Sequence, residues 1–204
     1  MSATAFIRKY VFNLPEGKIF TTRDCLKFGY RAAVDEALYR LVRGGIIRRL
    51  CRGVIVRDTT QQMVFSDYEV AKVKAQSFGR KLKQHATNLA FEMGLTKTTF
   101  KTPTFAVNGW SSRFRYGEKV IQLRETCERK MRFEPEDDKP GRTLSALWQA
   151  GREERQMTRE LIAQATGDFK KAEHEELRRR TKWMPAWLND SFKYARRWEL
   201  SITG

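Results

Sequence analysis

GKIFTTRDCLKFGYRAAVDEALYRLVRGGIIRRLCRGVIV, residues 17–56, is the stretch on which the fold turns. Lys18-Ile19-Phe20 is a short extended piece. Thr21, with Asp24 three residues on, is an N-terminal cap signature for a brief helix over Thr22 to Phe28, which Gly29 breaks. Val34, Ala37, Leu38 and Leu41 then recur at i, i+3, i+4 and i+7, so a helix from about Arg31 to Arg43 has one apolar face and stops at Gly44-Gly45. Its opposite face shows Arg31, Asp35, Tyr39, Arg40 and Arg43. Two β-prone runs, Ile46 to Leu50 and Val54 to Arg57, are joined across Cys51-Arg52-Gly53, a hairpin with Gly53 at a turn that needs positive φ. Ahead of all this, Phe6, Ile7, Tyr10, Val11 and Leu14 form the apolar stripe of an opening helix that Asn13, Pro15 and Gly17 end. Helix, short strand, helix, tight turn, helix, hairpin is the order of a winged helix-turn-helix, which is expected over residues 1–60.

Residues 61–204 read as a mixed α/β companion domain, so the whole chain is expected to be α+β. Ser66 and Glu69 form a capping-box pair ahead of a helix carrying Val70, Val73 and Phe78. Arg80 to His85 reads as extended, Ala86 to Met93 as helical and Thr98 to Val107 as extended, followed by the turn signal Asn108-Gly109. Strands Ser112 to Tyr116 and Lys119 to Arg124 flank Gly117-Glu118, an order that suits a type II′ turn. The polar break Glu134 to Gly141 precedes a helical part beginning at about residue 141, with helices expected at Thr143 to Ala150, Met157 to Ala165, Asp168 to Lys182 and Pro185 to Arg197.

Charge points to the partner. The 204 residues carry 40 Lys plus Arg against 24 Asp plus Glu, a net +16, which favours a polyanion. The excess is densest at the front, where residues 1–60 hold 12 basic and 5 acidic side chains. Hydrophobic residues make up 41% and aromatics 12%, too many for a disordered basic tail. No run approaches 18 uncharged apolar residues and the first residues lack a small-residue cleavage site, so a cytoplasmic protein that meets no membrane is expected. Cys25, Cys51 and Cys127 are far apart, with no CxxC and no His at ligand spacing, as for reduced thiols and no zinc.

A helix presented to the major groove must be held by a second helix packed across it, and the Phe28-Gly29-Tyr30 turn supplies that geometry. Tyr30, Arg31 and Asp35 are then expected nearest base edges. Thr21, Thr22 and Arg23 are placed to meet phosphate through hydroxyls and backbone N–H groups, and Arg40 and Arg43 to reach flanking phosphates. Arg48, Arg49, Arg52 and Arg57 sit on or beside the hairpin, where guanidinium groups enter a narrow minor groove or fork onto phosphates; arginine on a hairpin edge also deters strand pairing. Asp35 either accepts from a cytosine amino group or pairs with Arg31 or Tyr39 on its own helix, and the intrahelical role is favoured because a carboxylate facing phosphate is repelled. Lys72, Lys74, Arg80, Lys81 and Lys83 form a further basic cluster, and Arg113, Arg115 and Lys119 another.

The 17–56 segment resembles the N-terminal winged-helix region of AbiEi-type antitoxins of type IV toxin-antitoxin systems. The resemblance rests on Phe20, Thr21, Asp24 and Leu26, on the R-A-A-V-D-x-A-L-x-R-L run from Arg31 to Leu41, and on I-R-R-x-x-R-G from Ile47 to Gly53. It continues more loosely through Asn88-Leu89-Ala90 with Gly94-Leu95, Arg113 to Arg124, and Met184-Pro185-Ala186-Trp187-Leu188. Tyr30 stands where that family often has a small Ser or Thr. The resemblance implies a transcriptional repressor that binds inverted repeats of double-stranded DNA in its own promoter, as a homodimer or as cooperating monomers, and that counteracts a nucleotidyltransferase-like toxin.

Catalysis finds no support in the sequence. His85 and His174 stand in no HExxH, HxE or Ser/Cys dyad context, and the glycines form neither GxxxxGK[ST] nor GxGxxG. Asp137-Asp138 reads as part of a solvated loop rather than a metal pair, and no cofactor is expected. The alternatives are a nucleic-acid-processing enzyme, such as a small nuclease, or an RNA-binding protein, either of them delivered by the same front domain.

Overall fold

The computed structural model describes residues 2–127, 131, 138–153 and 159–193. The chain is α+β and divides into two compact units, Met1–Leu82 with Val107–Glu125, and Lys83–Ala106 with Thr126–Gly204.

The first unit begins with α1 (Ala3–Asn13), whose N-cap Ser2 accepts from the Ala5 N–H. It continues through β1 (Ile19–Thr21), α2 (Thr22–Cys25) with a 3₁₀ turn over Leu26–Phe28, α3 (Arg31–Arg43), β2 (Ile47–Cys51) and β3 (Val54–Arg57). The bounds of α3 are those its periodicity predicts. Val34, Ala37, Leu38 and Leu41 are its buried face, packed with Ile7 and Val11 of α1 and with Cys25, Ile47 and Ile55. Tyr10, Phe20 and Phe28 meet ring to ring and join α1 to β1 and the 3₁₀ turn. The helices approach closely at Gly29, where a Cβ would stand 2.8 Å from the Ala3 Cβ.

The strands form an antiparallel sheet in the order β1-β3-β2, so β3 is central. Arg49 pairs with Ile55 and Cys51 with Val54, which leaves Leu50 as the extra residue of a bulge beside the Arg52-Gly53 tip, and Gly53 has φ +82°. Val54, Ile55 and Val56 are all buried. A strand with both faces covered carries such an unbroken apolar run. Ile55 belongs to the core under α1 and α3, whereas Val54 and Val56 lie in a second core with Leu50, Cys51 and Val70.

That second core explains why the first unit extends past the boundary expected near residue 60. Its cover comes from α4 (Asp67–Gln76) and from the hairpin of β6 (Ser112–Tyr116) and β7 (Lys119–Glu125), through Val73, Phe114 and Tyr116. The Ser66–Glu69 capping box is present, and hydrogen bonds from the Ser66 N–H and hydroxyl hold the Glu69 carboxyl below its ordinary range. At the β6–β7 turn Gly117 has φ +57° and Glu118 has negative φ, as a type II′ turn requires. Phe78, expected on the apolar face of α4, lies beyond its end and is 62% exposed, because Gly79 at φ +69° turns the chain away after Gln76.

The second unit contains most of β4 (Leu82–Gln84) and β5 (Thr104–Val107), then α5 (Ala86–Glu92), α6 (Lys139–Glu153), α7 (Arg159–Thr166), α8 (Lys171–Thr181) and α9 (186–193). Its core gathers Leu89, Leu144, Leu147, Ala150, Ile162, Leu177 and Leu188. The extended run expected from Thr98 is a strand only from Thr104, after Pro103, which lacks the N–H a ladder needs. α6 starts earlier than the expected Thr143: Pro140 sits in the first turn, where its missing N–H is not needed, and Asp138 accepts from the Gly141 N–H. Residues 134–137 of the expected polar break, and 157–158 and 194–197 of the expected helices, lie outside the described residues. No described helix is long and apolar enough to cross a membrane.

Candidate nucleic-acid interface

The outward face of α3 and the tip of the β2–β3 hairpin form the two walls of an open cleft lined by Thr22, Arg31, Asp35, Tyr39, Arg49 and Arg52, among others. The N-cap of α3 is Tyr30, which is 77% exposed and offers no side-chain hydrogen bond to the first turn, so the positive end of the helix dipole is left uncapped by it. The charges along α3 are partly paired. Arg31 Nε donates to Asp35 Oδ2 at 2.8 Å and Arg40 Nε to Glu36 Oε1 at 2.8 Å, each one turn apart. Asp35 thus takes the intrahelical role. Exposed pairs of this kind contribute only about 0.3–0.5 kcal/mol, so a phosphate or a guanine edge competes with them readily. Arg43 lies over the Tyr39 ring at 5.9 Å. Neither Arg40 nor Arg43 lines the cleft.

Three of the expected contact residues are placed otherwise. Arg48 turns to the opposite face of β2 from Arg49. There its Nε and Nη2 donate to Asp58 Oδ2, at 3.0 and 2.6 Å, and Nη2 also reaches the Met63 carbonyl. Asp58 is fully buried. Burial by itself would raise its carboxyl, but hydrogen bonds from Arg48, Thr60 and the Met63 N–H, with the Arg48 charge, outweigh it and hold the carboxyl below the ordinary range. Arg48 therefore holds the residue 58–63 loop to the sheet. Thr21 and Thr22 are buried, at 3% and 6% exposure. The Thr21 N–H and hydroxyl both donate to Asp24 Oδ2, and the Thr22 N–H donates to the Gly53 carbonyl. The Thr21 donors are spent on the capping box of α2 and the Thr22 N–H on tying α2 to the hairpin tip, whereas their neighbour Arg23 is exposed.

Arg57, also counted with the hairpin, donates to the Phe12 and Leu14 carbonyls at the end of α1. The cluster expected around Lys72 to Lys83 is dispersed. Lys74 donates to the Arg52 carbonyl at 2.7 Å, Arg80 to the Trp110 carbonyl at 2.8 Å, and Lys83 is buried in the second unit and donates to the Met131 carbonyl. Lys74, Ser77 and Phe78 join the front of the protein in a second groove with Arg23, Arg31 and Arg52. Lys74 is brought to this groove by tertiary packing, which its place in a basic run does not foretell.

Both histidines have local partners. His85 Nδ1 caps α5 by accepting from the Thr87 N–H, and His174 meets the Phe169 ring edge-on. Asp138 pairs with Arg180, while hydrogen bonds from Arg179 and Arg180 lower Glu176 to about 2. Burial, helped by Asp24, pushes the Cys25 thiol up to about 12, and burial raises Cys51 as well, so neither is a reactive thiolate. Among the described residues no group of three or more His, Cys, Asp or Glu side chains is arranged to hold a metal ion. No protein-family model matches this sequence, and no curated protein does.

Proposed function

We propose that the protein binds double-stranded DNA through a winged helix-turn-helix at its front and acts as a sequence-specific transcriptional repressor. The observation that carries this reading is the cleft in which the exposed face of α3 and the Arg52-Gly53 tip converge, with Arg31 on one wall and Arg49 and Arg52 on the other. Supporting it, α2 and its 3₁₀ turn share a core with α3 through Cys25 and Phe28, and the β1-β3-β2 sheet carries the β2–β3 hairpin that this reading takes as the wing. An α-helix fits the major groove, while a wing arginine fits the narrow groove or phosphates beside it. The motif resemblance in residues 17–56 adds the biological setting: an antitoxin that represses its own operon and opposes a nucleotidyltransferase-like toxin encoded beside it.

A mobility-shift assay on the promoter fragment upstream of the gene, titrated with salt, tests this. An inverted-repeat duplex should bind far more tightly than random duplex, and log affinity should fall by about 0.9 per neutralised phosphate for each log unit of salt. Equal binding to any duplex would remove the repressor reading. Preference for single-stranded or structured RNA would favour an RNA-binding protein instead.

A further inference from the structure

We infer that the DNA backbone is gripped beyond the winged helix, in a second groove walled by α2, the β2–β3 tip and the C-terminal end of α4. This rests on the DNA-binding reading above and adds a phosphodiester track to it. The groove contains Arg23, Arg31, Arg52, Lys74, Ser77 and Phe78, and no carboxylate lines it. In that it differs from the α3 cleft, where Asp35 and Glu36 stand among the arginines. It is also continuous with that cleft, since Thr22, Arg31, Arg52 and Gly53 line both.

The way its cations are held sets the groove apart. Arg31, which the groove shares with the α3 cleft, is paired with Asp35, and elsewhere in the first unit Arg40, Arg48, Arg57 and Lys119 also lie against carboxylates. Arg23 and Lys74 are fixed by carbonyls instead: Arg23 Nη1 donates to the Ser77 carbonyl at 2.6 Å and Lys74 Nζ to the Arg52 carbonyl at 2.7 Å. A carbonyl orients a cation without cancelling its charge. Each side chain is thus positioned before a ligand arrives, which reduces the ordering cost of binding, and each has more N–H donors than the one that bond uses. The floor between them is apolar, from Leu26, Val54 and the exposed Phe78 ring, over which the Arg23 guanidinium lies at 5.4 Å. Cationic walls on an apolar floor complement a chain that alternates phosphate with deoxyribose.

The test uses the full-length protein and fluorescence anisotropy on labelled inverted-repeat and random duplexes over a range of salt. Arg23→Gln with Lys74→Gln should weaken binding to both duplexes alike, by about tenfold, and reduce the salt slope by about 1.8. Arg23→Lys with Lys74→Arg, which keeps both charges, should restore the slope; circular dichroism and thermal unfolding would check that each variant folds. Wild-type affinity and slope in the double Gln variant, with the wild type binding the inverted repeat as proposed, would overturn the phosphate track and leave the α3 reading standing. A wild type that ignores both duplexes but binds poly-glutamate, with that binding lost in the double Gln variant, would assign the groove to an acidic protein partner and overturn both readings.

Discussion

Replacing Asp58 by alanine is expected to destabilise the first unit by about 2–4 kcal/mol, the largest single effect in this part of the chain, because removing one member of a buried pair strands the other. Asp58 accepts two hydrogen bonds from Arg48, one from Thr60 and one from the Met63 N–H, and it is fully buried. The Arg48 side chain keeps 29% exposure, so water partly rescues it and the loss stays below that of a fully enclosed pair. The effect depends on pH in a definite direction. The folded protein holds this carboxyl below its ordinary value of 3.8, so protons bind the unfolded chain more readily. The stabilisation is complete above the unfolded value and is lost as pH falls through the lower folded value. Urea unfolding followed by hydrogen exchange of the β2 and β3 amides should therefore show a wide gap between wild type and Asp58→Ala at pH 7 that narrows progressively as pH falls below 3.8. A gap that is small at pH 7 would show that the ion pair is dispensable.

Arg31→Ala is expected to cost about 1–3 kcal/mol of discrimination between operator and random duplex, as for a bidentate guanine contact. Arg52→Ala should weaken both nearly equally and lower the salt slope by about 1. The contrast follows from position. Arg31 stands on the first turn of α3, the part of a recognition helix nearest the bases, and its exposed bond to Asp35 is weak enough to give way to a base edge. Arg52 stands at the hairpin tip, where it lines both grooves. Competition binding with the two duplexes measures the difference; an equal loss on both for Arg31→Ala would remove it from base reading.

How much of this was legible in the sequence differs from residue to residue. The α3 bounds followed from a clean apolar period closed by Gly44-Gly45, and the hairpin from Gly53, whose positive φ marks its turn. These signals are local. The return of α4 and the β6–β7 hairpin to cover Val54 and Val56 is not local: an amphipathic helix does not say which sheet face it will meet. The hint was the unbroken Val54-Ile55-Val56 run, which asks for cover on two sides. Arg48 and Arg49 read alike in a basic run, yet strand alternation sends them to opposite faces and only Arg49 reaches the cleft. Thr21 and Thr22 were correctly placed at a helix start, but the Asp24 carboxylate and the Gly53 carbonyl take the donors a phosphate would need. Arg23 and Lys74 acquire their importance from the Ser77 and Arg52 carbonyls, distant in sequence and brought close by the fold.

The most direct test of the proposed DNA-binding face is a ¹⁵N-resolved NMR titration of the full-length protein with its promoter duplex. Binding through α3 and the hairpin tip predicts the largest amide shifts at residues 30–40 and 49–53, with smaller ones at 74–78. Shifts confined to residues 83–106 and 138–193, with α3 and the hairpin tip silent, would contradict it.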